Sequence, residues 1–263
     1  MPTLWQGAHV VLGDLSLDPT ELGAKMLAKG WAGVWAKIHH GSVATDPGLG
    51  EWLEKFRAAS GGKVLAIGWG VNGADPKSEA ALIEGFCRQH HLVAYVADVE
   101  AAQKEDETPG GRKLTAVLWS ELRRRMPTRS MGFTTYGAAS DDWLLGSVLD
   151  KGARWSGPMD FASPWRAGAR FIPQAYPNEY GEIYSLPHCV RHARRAGWPI
   201  SWVHPMLGCY DGPFSRDPRV YVSDMIRLGL LGFSVFRGEL MTDDDWAVLS
   251  AAIGPKGVAR RLY

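Results

Sequence analysis

The sequence predicts an α/β fold, a single-domain (β/α)8 TIM barrel that takes up the whole chain, residues 1–263, and three observations lead to this fold class. Short apolar runs alternate with amphipathic stretches along the chain. Eight such units recur at spacings of roughly 25 to 40 residues, as expected for parallel strands with crossover helices. No G-x-G-x-x-G segment or phosphate loop follows the first run, which argues against an open doubly wound sheet.

The apolar runs have the composition of buried strands from the first unit to the last. They are rich in Val, Ile, Leu and Ala, as strands covered on both faces are. In order, they occupy residues 9–14, 33–41, 63–73, 92–100, 129–137, 169–177, 199–207 and 233–241. We therefore predict parallel strands within these limits.

Helix signals stand between the runs. Asp18 and Pro19 suit the N-cap and the first helical position, and Gly30 ends the helix that they begin. Asp75 and Pro76 repeat the opening signal after the third run. Further amphipathic stretches lie at residues 51–60, 114–126, 185–197, 217–232 and 243–254, the last opening with acids at the positive end of its dipole. The long connection between the fifth and sixth runs is predicted to carry an extra helix or a lid.

The amino-acid composition limits the kinds of molecule that we expect the protein to bind. The chain has 29 basic and 28 acidic residues, so it offers no electrostatic case for nucleic acid or an anionic membrane surface. No apolar stretch reaches the roughly 20 residues that cross a bilayer, and the amino terminus lacks the basic and apolar regions of a signal peptide. We therefore expect synthesis in the cytoplasm without a signal peptide, and no nucleic-acid or membrane partner. The three cysteines lack metal-binding spacing and are expected to be buried, reduced thiols.

Polar and aromatic residues recur at the ends of the predicted strands. In a (β/α)8 barrel the carboxyl ends of the strands form one face, and the loops there carry the chemistry. The residues at these ends are Asp14, Lys37, His39, His40, Trp69, Asn72, Asp98, Glu100, Thr134, Tyr136, Gln174, Tyr176, His204, Arg237 and Glu239. Their recurrence predicts one reaction site at the mouth of the barrel.

Two acids at the end of the fourth run suggest the reaction. Asp98 and Glu100 are separated by one residue, so on a strand they share a face at about 6.5 Å along the backbone. Two carboxylates this close disfavour double ionisation, and one of them should keep its proton. Glycoside cleavage uses such a pair: one acid protonates the leaving oxygen while the other stabilises or attacks the oxocarbenium centre. Alternatively, the acids cap the following helix or pair with Lys104.

Metal and Schiff-base chemistry receive less support. The mouth residues of metal-ligand type are His39, His40, His204, Asp98 and Glu239. However, no H-x-H lies on the first strand, and adjacent histidines on a strand point to opposite faces. We therefore expect no metal and no cofactor. Lys37 could form a Schiff base in a barrel, although pairing with an acid at the mouth is a more ordinary role.

Four short segments stand at or near the ends of the predicted strands: GDLS at residues 13–16, ADVEA at 97–101, FTTYG at 133–137 and FIPQAYP at 171–177. Together they resemble segments of barrel glycosidases that act on cell-wall sugars, most nearly glycoside hydrolase family 25, the lysozymes of phages and bacteria. Two features depart from that family: no Ser-x-x-Gln-Gly-like segment follows the first acid, and the seventh run ends in VHPML instead of a Gln-Tyr pair. Family 18 chitinases also place D-x-E on the fourth strand, but their longer D-x-x-D-x-D-x-E motif is absent here.

The resemblance implies roles for individual residues. Glu100 would be the general acid, Asp98 its partner in supporting the intermediate, and Asp14 a further subsite acid. Flat aromatic rings at the mouth would stack on sugars. The predicted substrate-binding set is Asp14, Trp69, Asn72, Tyr136, Gln174, Tyr176, His204 and Glu239.

The sequence thus predicts a glycosidase that cleaves a cell-wall-type polysaccharide, such as peptidoglycan, by carboxylate acid catalysis. The alternative is a barrel of the same ancestry that binds carbohydrate with little turnover, for instance as a component of a phage particle with virion proteins as partners. Release by lysis or transport in a phage particle would suit either alternative.

Overall fold

The protein is a closed barrel of eight parallel strands surrounded by helices, as the sequence predicts. The computed structural model describes residues 4–45, 47–99, 109–136, 160–177, 184–195, 197–208, 214 and 216–253. The strands are β1 (Gly7–Val11), β2 (Gly33–His40), β3 (Val43–Ala44), β4 (Leu65–Asn72), β5 (Ala94–Val99), β6 (Ser130–Tyr136), β7 (Arg170–Ala175), β8 (Met206–Gly208) and β9 (Gly232–Phe236). The helices are α1 (Pro19–Lys29), α2 (Leu49–Ala59), α3 (Pro76–Gln89), α4 (Gly111–Arg125), α5 (Ala162–Arg166), α6 (Leu186–Arg195), α7 (Pro218–Leu228) and α8 (Asp243–Ala251).

The parallel pairing closes on itself between the first and last strands. The order is β1-β9-β8-β7-β6-β5-β4-β2, and β2 returns to β1. At the closure, Gly7 pairs with Gly232 and His9 with Gly33. The sheet of parallel strands therefore has no free edge, and the short β3 joins β2 outside this ring as an antiparallel neighbour.

Local sequence signals fix the helix ends. The Asp18 side chain accepts hydrogen bonds from the amides of Thr20 and Glu21, and Gly30 ends α1 in the left-handed conformation. Asp75 caps α3 in the same way. Thr242 and Asp245 form a reciprocal capping box at α8, whose first turn carries three acids. The predicted Asp-Pro, glycine and acidic signals are confirmed at these helices.

Alternate residues of each strand enter two different cores. On β5, Tyr95, Ala97 and Val99 pack outward against the helix layer. Ala94 and Val96 face the barrel interior, where they join the tryptophans of β2 and β4. This alternation brings the side chains of separate strands together inside the barrel.

The last two strands are shorter than the sequence predicts: β8 begins later and β9 ends earlier. The seventh run begins with a 3-10 turn, Ile200–Trp202, and only Met206–Gly208 forms β8. The eighth run leaves the sheet after Phe236, and Gly238–Leu240 is a second 3-10 turn. Gly238 fits there because a Cβ at this position would collide with the Val10 side chain.

Both ends of the described chain lie at the base of the barrel, opposite the mouth. Leu4 precedes β1 and packs against the interior core. Ile253 follows α8 and lies with Leu230 and Gly232, which precede or begin β9. None of the described helices combines the length and the apolar character that crossing a membrane requires.

Candidate active site

A cavity of about 250 Å³ opens at the carboxyl ends of the strands. Its lining residues come from inward-facing positions, chiefly in pairs two residues apart such as Trp35 and Lys37 on β2, and Val96 and Asp98 on β5. The full lining is Val11, Trp35, Lys37, His40, Trp69, Val71, Val96, Asp98, Thr134, Gln174, Tyr176, Met206 and Phe236. Apolar walls with a few convergent polar groups are typical of a small-molecule or sugar site.

Asp98 is the one carboxylate among the described residues that line this cavity. Its side chain is only 6% exposed and accepts a hydrogen bond from Gln174, at 3.3 Å between Nε2 and Oδ1. Gln174 lies on β7, two strands away, so the bond spans the interior across β6. A buried carboxylate held by an amide donor is fixed in orientation, which is what attack on or stabilisation of a bound group requires.

Thr134 of β6, next to Asp98, brings a further hydroxyl group to the cavity. Thr134 pairs with Asp98 in the strand register and also lines the cavity. Within the described part of the chain, the buried Thr134 Oγ1 has no hydrogen-bond partner. Buried hydroxyl groups almost always find a partner, so this one is available to a bound molecule.

On the side of β2 and β4, the cavity is lined by an aromatic ring, Trp69, and a cation, Lys37. The Trp69 indole donates to the Leu12 carbonyl oxygen at 3.0 Å and meets the Phe236 ring edge to face at 5.7 Å between centroids. The Lys37 ammonium lies over the Trp69 ring, 5.2 Å from its centroid. These contacts hold a flat ring and a positive charge at one side of the cavity.

Asp14 and Glu239 form a separate acidic group beside the mouth. The Asp14 amide donates to Glu239 Oε1 at 2.9 Å, and Arg237 Nη2 lies 3.4 Å from Asp14 Oδ2. Hydrogen bonds from Ser16, with Arg237 adding a smaller effect, lower the pKa of the Asp14 carboxyl. Burial raises the pKa of Glu239. Neither acid lines the cavity, although both were predicted to bind substrate.

Asn72 points away from the cavity. Its side chain donates to Glu79 of α3 at 3.1 Å and to the Tyr95 hydroxyl at 3.2 Å, both in the layer outside the barrel. His39 joins the same group through a 2.7 Å bond between Nε2 and Tyr95 Oη. The contacts of Asn72 therefore tie β4 to β5 and α3.

His204 lies below the cavity, in a ring cluster that closes the barrel base. Its Nδ1 is 3.2 Å from the Trp5 carbonyl oxygen, and its ring packs 4.7 Å from that of His9 between centroids. The Trp35 indole donates to His9 Nδ1 at 2.9 Å. Burial lowers the pKa of His204 to about 4 and that of His9 well below its usual range. Both imidazoles are therefore neutral near pH 7.

Of the predicted catalytic and binding residues, the structure brings together Asp98, Trp69, Gln174 and Tyr176. Glu100 lies outside the described residues, as does the partner Lys104. Tyr136 ends β6, and its side chain is likewise outside them. Across the described ranges, no three His, Cys, Asp or Glu side chains are grouped so that they could hold a metal ion.

Several lining residues were not predicted as site residues. Trp35 and Val96 lie two positions before Lys37 and Asp98, so counting back by two from each strand end would have found them. His40, which the sequence places at the mouth but not in the binding set, lines the cavity because the β2–β4 register shifts between Lys37 and His39. A bulge of this kind leaves no signal in the sequence around it.

Comparison with known proteins agrees with the fold. No protein-family model matches the sequence, and no curated protein is similar enough in sequence to be matched. A chitinase from Bacteroides thetaiotaomicron superposes with a TM-score of 0.70 at 10% identity, covering 98% of each chain. A chitinase from Rhizomucor miehei gives 0.67 at 12% identity, covering 93% of this chain and 99% of that chain.

A third solved structure is the spore cortex-lytic enzyme SleL of Bacillus megaterium QM B1551, with a TM-score of 0.63 at 10% identity. The superposition covers 93% of this chain and 73% of the SleL chain. At such low identities the likeness shows the fold alone, and the resemblance to family 25 lysozymes stays a prediction. This chain therefore shares its (β/α)8 barrel with two chitinases and a spore cortex-lytic enzyme.

Proposed function

We propose that the protein is a barrel glycosidase that cleaves a cell-wall-type polysaccharide, with Glu100 as proton donor and Asp98 as the carboxylate that supports the reacting sugar. One observation carries this proposal: Asp98, the first acid of the D-x-E sequence, lies buried in the cavity at the carboxyl end of β5 and is oriented by Gln174. The active sites of (β/α)8 enzymes lie at this end of the strands.

The surroundings of Asp98 suit a sugar substrate. Trp69 and Tyr176 offer aromatic surface for a pyranose face, while Thr134 and Gln174 offer hydrogen bonds to hydroxyl groups. The fold shared with chitinases and a cortex-lytic enzyme supports a glycan as substrate. Peptidoglycan is our first choice of polymer, in line with the family 25 resemblance.

The chemistry needs two acids with different protonation. An acid that keeps its proton gives it to the leaving oxygen, and an ionised neighbour stabilises or attacks the developing positive charge at the anomeric carbon. In line with the family 25 resemblance, we give Glu100 the first role and Asp98, which Gln174 orients, the second.

The test is release of reducing sugar from purified peptidoglycan and from chitin oligosaccharides. We expect the wild-type protein to be active, and Glu100→Gln and Asp98→Asn each to lose at least about a hundredfold in kcat/KM. Glu121→Gln on the outer helix α4 is the control and should keep full activity. Unchanged turnover in Glu100→Gln would overturn the mechanism.

If the barrel is not catalytic, we expect a different result in the same experiment. Binding to a glycan without product release, and with equal affinity in the wild type and Glu100→Gln, would favour a carbohydrate-binding component such as one carried in a phage particle.

A further inference from the structure

Lys37 is the one Lys or Arg that lines the cavity, as far as the structure describes the chain. Its side chain is half-buried and faces inward from β2. The carbonyl oxygen of Lys37 accepts a 2.8 Å hydrogen bond from the Thr45 hydroxyl, just after the β2–β3 hairpin. This bond and the neighbouring irregularity in the β2–β4 register fix where the lysine enters the cavity.

The ammonium of Lys37 is held by an aromatic ring and not by an acid. Its contact is the Trp69 face at 5.2 Å, and no described carboxylate oxygen lies within ion-pair distance of Nζ. By contrast, Lys25 and Lys55 each pair with an acid on the protein surface. A half-buried cation that has no counter-ion among the described residues can bind a negative group of a ligand.

The cavity therefore has a carboxyl group and an ammonium group on separate walls. Asp98 lies on β5 and is bound to Gln174, on the β7 side, whereas Lys37 lies on β2 with Trp69 of β4 beside it. Two strand spacings separate β2 from β5, about 10 Å in all. A sugar that places its anomeric carbon near Asp98 can thus direct a distant substituent towards Lys37.

We infer that Lys37 selects glycans whose sugars carry a free carboxylate, as a lactyl ether or a uronic acid, over neutral glycans. This inference rests on the proposed function for its reaction, but the charge recognition belongs to binding and can be measured without turnover. The carboxylate would accept charge-assisted hydrogen bonds from the ammonium.

The experiment compares two forms of one polymer. Peptide-free glycan strands of peptidoglycan carry free lactyl carboxylates, and chemical reduction of these groups to alcohols gives a matched neutral form. We expect the wild-type protein to prefer the carboxylate form by roughly tenfold or more in kcat/KM. Added salt should weaken the preference.

Variants at Lys37 test the assignment. Lys37→Met keeps the apolar stem over Trp69 and should lose the preference, whereas Lys37→Arg should keep most of it. Lys55→Met, which removes a surface ion pair outside the cavity, should leave it unchanged. Equal use of both forms by the wild type, or an undiminished preference in Lys37→Met, would overturn the inference.

Calorimetric binding of the same two glycans separates this inference from the proposed function. If no glycan is cleaved, a Lys37-dependent affinity for the carboxylate form still supports the inference, while equal affinity for both forms overturns it. Uronate-containing oligosaccharides form a further arm. Tighter binding of these than of the lactyl form supports the carboxylate class and identifies a uronic acid as its source.

Discussion

Two neighbouring hydroxyl groups on β6 differ in whether they face the cavity or the backbone of the next strand. Thr134 and Thr135 are neighbours on β6 and both are buried, but their side chains enter different surroundings. Thr134 lines the cavity with a hydroxyl that finds no partner in the described ranges, and Thr135 donates at 3.1 Å to the Val99 carbonyl oxygen. The pair therefore offers a matched test of function against stability.

Thr134→Val should stabilise the protein by about 1 kcal/mol, because it removes a buried hydroxyl without a hydrogen bond. The same change should lower glycan turnover, since the hydroxyl is available to the substrate. Urea unfolding and reducing-sugar release measure the two effects. Thr135→Val should instead lower the free energy of unfolding by about 1 kcal/mol and leave turnover unchanged. Lower stability in Thr134→Val would contradict this account.

The buried histidines make stability depend on pH. Burial lowers the pKa of His204 to about 4, whereas an unfolded chain has about 6.5. As pH falls from 6.5 towards 4 the unfolded state binds the proton first, so the free energy of unfolding decreases. The contribution of neutral His204 is fully present above pH 6.5 and is lost through this window, with about 2 kcal/mol gone between pH 7 and pH 5.

Urea unfolding at pH 7 and pH 5 measures this loss. His204→Gln keeps a polar side chain but cannot titrate, so its pH dependence should be smaller by about 2 kcal/mol. An identical pH dependence in the variant and the wild type would show that another group is responsible. His9 and His39, whose pKa values burial also lowers, add to the total effect in the same direction.

At the scale of the strands, glycine marks where two elements approach closely. A Cβ on Gly70 of β4 would collide with the His39 ring and come within 2.7 Å of the His39 carbonyl oxygen. Gly85 in α3 has nothing near the equivalent position. A methyl group would therefore fit at Gly85 but not at Gly70.

Gly70→Ala should cost about 1–3 kcal/mol, since overpacking forces the β2–β4 pair apart. Gly85→Ala should stabilise the protein by about 0.5–1 kcal/mol, because alanine favours a helix interior. Thermal unfolding of the two variants under one condition compares them directly. A stabilising Gly70→Ala would show that β2 and β4 can separate at no cost.

Strand parity explains which site residues could be predicted. Asp98 and Gln174 were correctly placed at strand ends, and the structure joins them. Trp69 and Asn72 are three residues apart, so on a regular strand they face opposite sides, and parity alone would have removed Asn72 from the cavity. Strand parity fails for His40, because the register shift after Lys37 brings this residue to the cavity.

The eight strands and their order along the chain were predictable because each needs only a local apolar run and its flanking signals. The ends of β8 and β9 were not. The residues after Phe236 continue the predicted run but turn at Gly238, where a side chain would collide with Val10. Such tertiary contacts override local preference.

For the whole molecule, one tryptophan fastens the start of the chain across the barrel base. The Trp5 indole donates to the Ser130 hydroxyl at the beginning of β6, at 2.7 Å. Its ring also packs against Trp35, and its carbonyl oxygen contacts His204. A residue that precedes β1 thus contacts strands on several sides of the ring.

Trp5→Ala should therefore destabilise the entire barrel, by about 3–5 kcal/mol, as removal of a buried aromatic side chain does. Ser130→Ala should cost only about 1 kcal/mol, because it removes the hydrogen bond and leaves the ring packing. Circular dichroism during chemical unfolding reports both values. Equal losses in the two variants would place the stabilisation in the hydrogen bond instead.

The described chain begins at Leu4 and ends at Ile253, both on the base and away from the cavity. Attachment at Leu4 or Ile253, to a resin bead or a sensor chip, would therefore hold the barrel by its base. The anchor would then lie on the side of the barrel opposite the cavity, and a ligand could be supplied from the other side.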